Sequence, residues 1–280
     1  MFTNYSYFGG KIPFSFLEGT NGMHEKKTSL FYRFLKKMVR LLYPKIEVVG
    51  EENLPEEPAV IVGNHCQLHG PIASELYFPG KRYTWCAWQM MHREEVPAYA
   101  YRDFWSRKPK FSKPFYKLLS HLIAPLSACV FNNADTIAVY HDTRAINTFK
   151  QSVRCLQEGA RVVVFPEHDV EYNSIVYEFQ DKFIDVARLY YKKTGKALAF
   201  VPLYIAPGLK KMYLGKPVWF RPQEPMEEER QRISRYLMTQ ITRTARSLPL
   251  HTVVPYRNIR KKDYPTNLPQ EVAEHEKTGG

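Results

Sequence analysis

PAVIVGNHCQLHGPIASELYF, residues 58–78, reads as a strand, a polar turn and a helix in immediate succession. Ala59 to Val62 form a short continuous apolar run, the pattern of a strand buried on both faces. The turn puts Asn64, His65, Cys66 and His69 between Gly63 and Gly70, and Pro71 suits the first turn of a helix. The same alternation recurs downstream. TIAVY (136–140) precedes a helical TRAINTFKQSVRCLQEG closed by Gly159, and RVVVF (161–165) is the next strand. VYEFQDKFIDVARLYYKKTG (176–195) reads as one helix closed by Gly195, followed by the strand ALAFVPLYI (197–205). Helices of this length between strands make crossover connections, so the fold class is α/β: a single domain with a mixed, largely parallel sheet flanked by helices.

Outward from this centre, KIEVVG (45–50) and TWCAWQM (84–90) read as further strands, and MYLGKPVWF (212–220) as a hairpin or edge strands. A long helix runs through residues 224–248, with Ile233, Leu237 and Ile241 on one stripe. The expected organisation is an N-terminal segment 1–27, the α/β domain 28–248, and a polar C-terminal tail 249–280 lying on the surface.

The net charge of +12 over 280 residues predicts an attraction for polyanions, and the aromatic content of 14% suits a surface touching lipid or bases. Four scattered cysteines form no C-x-x-C pair, which gives no reason for structural zinc or disulfides. His65 and His69 lack a third ligand nearby, so no metal is expected. The chain has no G-x-S-x-G, G-x-G-x-x-G, P-loop or H-E-x-x-H pattern. The first residues lack a basic start followed by an unbroken apolar core, so no signal peptide is expected.

TSLFYRFLKKMVRLLYP (28–44) is a helix capped by Thr28 or Ser29 and ended by Pro44. Its Leu, Phe and Met stripe lies opposite Arg33, Lys36, Lys37 and Arg40, which suits an anionic membrane interface. The bland alternative is a surface helix packed on the core. The apolar stretch Leu118 to Phe131 either adds to that face or lies in the core. Nucleic acid is the weaker partner: YRNIRKKDY (256–264) is basic and tyrosine-bearing, but no nucleic-acid-binding module is present.

Two strand ends, VIVGNHCQLHGP and VVVFPEHDVEY, carry ionisable residues directly after buried runs, at the carboxyl edge where open α/β sheets collect ligands. His65 is chemically suited to be a general base there. Alternatively, Asn64 and His65 only satisfy backbone groups in a tight turn.

The succession IEVVGEENLPEEPAVIVGNH, AVYHDTRAINTFKQSVRCLQEG, VVVFPE and FVPLYI resembles the glycerolipid acyltransferase superfamily, which includes the lysophosphatidic acid acyltransferases. The likeness spans roughly residues 30–250. It implies that His65 takes a proton from an acceptor hydroxyl, whose oxygen attacks the thioester of acyl-CoA or acyl-carrier protein without a covalent enzyme intermediate. Asn64 would support the turn, and Glu167 would match the family's acceptor-binding glutamate. His168, Arg144, His69 and Gly70 would complete the substrate site. No cofactor is implied beyond the acyl thioester, and the expected location is peripheral, on the cytoplasmic face of a membrane.

The sequence departs from the family pattern at three places. Gly70 stands where the family has the aspartate that orients the histidine, leaving His69, Glu75, Asp103, Asp142 and Asp169 as open substitutes. His168, Asp169 and Val170 replace the family's Gly-Thr-Arg, which makes a phosphorylated acceptor less comfortable. His141 stands at the expected basic position, with Arg144 nearby. The departures fit either a divergent acyltransferase with a rearranged site or a catalytically inactive lipid-binding shell.

Overall fold

The computed structural model describes residues 29–105 and 109–268, so the N-terminal segment 1–27 and the signal-peptide expectation lie outside the described residues. The sheet runs in the order β1 (Glu47–Val49), β9 (Lys211–Leu214), β8 (Ala199–Ala206), β2 (Ala59–Gly63), β5 (Arg161–Val164), β3 (Arg82–Ala87), β4 (Thr136–Val139). β10 (Val218–Trp219) joins β8 beside β9. β8, β2, β5, β3 and β4 are parallel neighbours, while β9 and β10 run antiparallel to β8. The sheet is therefore mixed and mostly parallel.

β2 sits between β8 and β5 and every residue of it is buried, as its unbroken apolar run requires. Its side chains alternate between two apolar layers. Val60 and Val62 pack with Val162, Val164 and the buried faces of α5 (Ala145–Gln157), α6 (Asp185–Thr194) and α7 (Met226–Arg246). Ala59 and Ile61 pack on the other side with Ala73 of α2 (His69–Tyr77), Ile46, Val201 and Leu203. Ile233, Leu237 and Ile241 of α7 are buried as their spacing predicts.

Two expectations are corrected. Residues 176–195 are not one helix: β7 (Tyr177–Phe179) pairs antiparallel with β6 (Glu167–Tyr172), and α6 begins only at Asp185. Tyr177 and Phe179 are buried while Glu178 between them is exposed, a period of two that short-range helical spacing concealed. Residues 249–268 also do more than lie on the surface as a tail, because His251, Val253 and Asn267 are buried.

The helices away from the sheet pack in an inverted way. α1 (Leu30–Leu42), capped by the Ser29 hydroxyl, buries only Tyr32, whose hydroxyl donates to Glu75 Oε1 at 2.9 Å. Lys36 pairs with the same carboxylate. Leu30, Phe31, Phe34, Met38, Leu41 and Leu42 are exposed. α4 (Lys113–Asn133) packs on α3 (Val96–Ala100) and buries its small residues Ser120, Ala124 and Ser127. Its large residues Phe115, Leu118, Leu122 and Leu126 face outward. By length and composition the helical stretch Lys110–Asn133 could span a bilayer.

Candidate active site

The turn after β2 is held from both sides by buried polar groups. Asn64 is 1% exposed, and its amide nitrogen donates to the Ile205 carbonyl at 3.0 Å while its Oδ1 accepts from the Ile205 N–H at 2.7 Å. That pair fixes the end of β2 to the end of β8. Glu167, 5% exposed, accepts the His65 backbone N–H on Oε1 at 2.6 Å and the Tyr177 N–H on Oε2 at 2.7 Å. One carboxylate thus joins the β2 turn to the β6–β7 hairpin.

Such anchoring has a reason in the backbone. Cys66 and Gln67 adopt positive φ values of 47° and 55°, a left-handed conformation that costs an L-residue roughly 1–2 kcal/mol each. The chain then closes tightly, with the Gly70 N–H donating to the His65 carbonyl at 3.0 Å. A Cβ at Gly70 would lie 2.4 Å from that carbonyl oxygen. In this turn there is no room for a side chain at position 70. Gly70→Asp is therefore expected to cost about 1–3 kcal/mol or more. Thermal melting checks this, and a variant melting at the wild-type temperature would show that the turn accepts the carboxylate.

His65 as a residue is half-buried, and its ring packs in T-shaped contact with Phe165 and Tyr256, with centroids 5.5 Å from each. Its Nδ1 is buried without a hydrogen-bond partner. Burial lowers the imidazole pKa below its ordinary 6.5, so the ring is neutral at pH 7. The carboxylates that the sequence left open as supports are committed elsewhere. Glu75 binds α1 and Arg82, Asp103 pairs with Arg102, Asp142 with Arg144, and Asp169 with Arg257. His69 Nδ1 lies 2.9 Å from the Tyr43 hydroxyl. Glu167 reaches the His65 backbone rather than its ring, and burial raises its pKa to about 7 against the two N–H donors that lower it. Burial, reinforced by Glu167, pushes the neighbouring Cys66 thiol far up, which leaves it a neutral thiol and not a nucleophile.

The structure thus gathers Asn64, His65, His69, Gly70 and Glu167 at one sheet edge, and the other two predicted substrate residues make their contacts elsewhere. His168 Nε2 lies 3.7 Å from Glu178 Oε2 on the hairpin. Arg144 stands at the same carboxyl edge but beside β4, three strands from β2, ~14 Å at ordinary strand spacing. There its guanidinium covers Trp88 and Tyr140, 4.4 and 4.5 Å from the ring centroids. Tyr256 and Arg257 were missed because their segment is polar and proline-bearing. The short apolar run HTVVPY (251–256) was the one signal that it packs.

Next to Glu167 on β6, Asp169 is paired with a cation from the C-terminal segment. Arg257 Nε lies 2.7 Å from Asp169 Oδ1, so the two charges neutralise one another.

No family model matches the chain, and no curated protein matches it. Among solved structures it is similar to the 1-acyl-sn-glycerophosphate acyltransferase PlsC of Thermotoga maritima, at 17% identity and a TM-score of 0.44, over 76% of this chain and 77% of that one.

Proposed function

We propose that this chain is an acyltransferase that moves a fatty acyl group from an acyl thioester to a hydroxyl of a lipid-type acceptor. The observation that carries the reading is the placement of His65: a neutral imidazole on a half-buried residue at the carboxyl end of a central strand, its backbone pinned by Glu167. In the reaction Nε2 takes the acceptor's hydroxyl proton as the oxygen attacks the thioester carbonyl. The C–S bond then breaks, and the proton passes to the leaving thiolate. The base-competent tautomer carries its proton on Nδ1, where no acceptor meets it. No carboxylate orients that tautomer, so transfer is expected to be slower than in an enzyme whose histidine is held by one.

The acceptor comes from the membrane. α1 and α4 contain no acidic residue, and their exposed apolar side chains are interleaved with Arg33, Lys37, Arg40 and Lys117. Lipid suits this combination, each basic residue contributing about 1 kcal/mol at an anionic surface. α4 touches the protein body along its own length, so it lies in the interface rather than crossing alone.

The unpartnered Nδ1 equally favours a second reading, a lipid-binding shell without chemistry. Purified protein mixed with acyl-CoA and anionic vesicles separates the two. Free thiol released only when a lysophospholipid or monoacylglycerol is present supports transfer. Vesicle binding with no thiol release from any donor and acceptor pair supports the shell.

A further inference from the structure

After α7 the chain folds back as a loop whose two ends are firmly joined. Thr252 bridges Thr266, the Val253 N–H donates to the Pro265 carbonyl at 2.9 Å, and the Asn267 N–H to the His251 carbonyl at 3.1 Å. The buried Asn267 amide also donates to the Ala245 carbonyl at 2.8 Å, and His251 Nε2 lies 2.7 Å from the buried Tyr204 hydroxyl. Closed ends with a free-standing tip are the geometry of a compact surface loop of the kind that often carries function.

The tip is held differently. Residues 257, 258 and 260–263 are exposed, and the backbone hydrogen bonds of 259, 263 and 264 stay within the loop. Side chains make its contacts with the body: Arg257 to Asp169, Asn258 to the Phe104 carbonyl at 3.1 Å, and the Tyr264 hydroxyl accepting from Gln67 at 2.8 Å. Between these holds Tyr256 sets its ring against His65 at 5.5 Å and Tyr177 at 6.1 Å.

We propose that residues 256–264 form a hinged lid over His65, latched by Arg257 on Asp169, and that Tyr256 decides which acceptors reach the imidazole. This inference rests on His65 as the reacting group. The joined ends stay fixed by backbone bonds and buried side chains, and the tip turns about them. For the Tyr256 ring to leave, the tip's side-chain holds on Asp169, Phe104 and Gln67 must part; the ion pair among them is half-exposed, with Arg257 42% and Asp169 13% exposed. An acyl acceptor entering the site takes the place of the tyrosine ring, so an aromatic or apolar acceptor portion fits best against Phe165 and Tyr177.

Diethyl pyrocarbonate, which acylates accessible neutral imidazoles, tests the lid without an acyl donor, and peptide mass spectrometry reads each histidine separately. His121, exposed on α4, serves as the internal control. Wild-type His65 is expected to react more slowly than His121. Arg257→Ala and Asp169→Asn should each speed His65 labelling roughly two- to fivefold, the range an exposed ion pair supports. Tyr256→Ala should speed it roughly tenfold, with His121 labelling and the melting temperature held near wild type. A His65 rate unchanged in the latch variants overturns the hinge, and one unchanged in Tyr256→Ala overturns the tyrosine's role. These rates stand whether or not the protein transfers acyl groups, so absence of thiol release leaves the lid standing, while a rigid loop leaves the acyltransferase reading standing.

Discussion

His65→Ala is expected to lower acceptor-dependent thiol release by at least about 10²-fold, the lower range of what a positioned general base supplies. The same variant should melt close to wild type. The ring's edge-on contacts with Phe165 and Tyr256 are each worth about 0.5–1.5 kcal/mol, but its removal also relieves the buried, unpartnered Nδ1, whose desolvation costs about 1–3 kcal/mol. The two contributions oppose one another. The pH profile carries a second mark of the same residue. Only the neutral ring accepts a proton, and burial lowers its pKa below 6.5, so the rate should rise with pH and already be level by neutrality. Unchanged turnover in His65→Ala, or a rate still climbing above pH 7.5, would remove His65 as the base.

The second large effect concerns stability. Glu167→Ala leaves the His65 and Tyr177 backbone N–H groups without their acceptor, at about 1–3 kcal/mol each. Against a total of about 5–15 kcal/mol for a domain, that is enough to lower the melting point severely. Glu167→Gln is the milder companion, since its carbonyl oxygen still accepts one of the two donors. Titration adds a direction. The folded carboxyl keeps its proton up to about pH 7, against 4.5 when unfolded. Its stabilising contribution is therefore complete below pH 4.5 and declines as pH rises through 7, by on the order of 3 kcal/mol. Denaturant melts of wild type and Glu167→Gln across pH 4.5–8 should show that decline in the first and lose it in the second. An alanine variant melting within a few degrees of wild type would mean that Glu167 is no clamp.

The corrections share one origin. Residues 176–179 follow an acidic stretch and precede a true helix, so local spacing extended that helix backward; Tyr177 instead gives its N–H to a carboxylate ten residues earlier and becomes a strand. Residues 249–268 carry few apolar side chains, and polar composition alone marks them as a tail. They are ordered by His251 and Asn267, whose partners Tyr204, Ala245 and Leu248 come from other elements. α4 misleads in the opposite way: its composition is that of a core helix, while its small residues are the buried ones.

By itself the sequence determined the α/β alternation, the buried central strand and the polar turn carrying Asn64 and His65, because apolar periodicity and strand-end chemistry are properties of neighbouring residues. Only the tertiary structure decided what surrounds the imidazole. Glu167 grips its backbone, Tyr256 covers its ring, Gly70 excludes a carboxylate and Nδ1 is left unpaired. Each of these depends on where one backbone passes another, and that distance is set by packing across the sheet edge rather than by any run of residues along the chain.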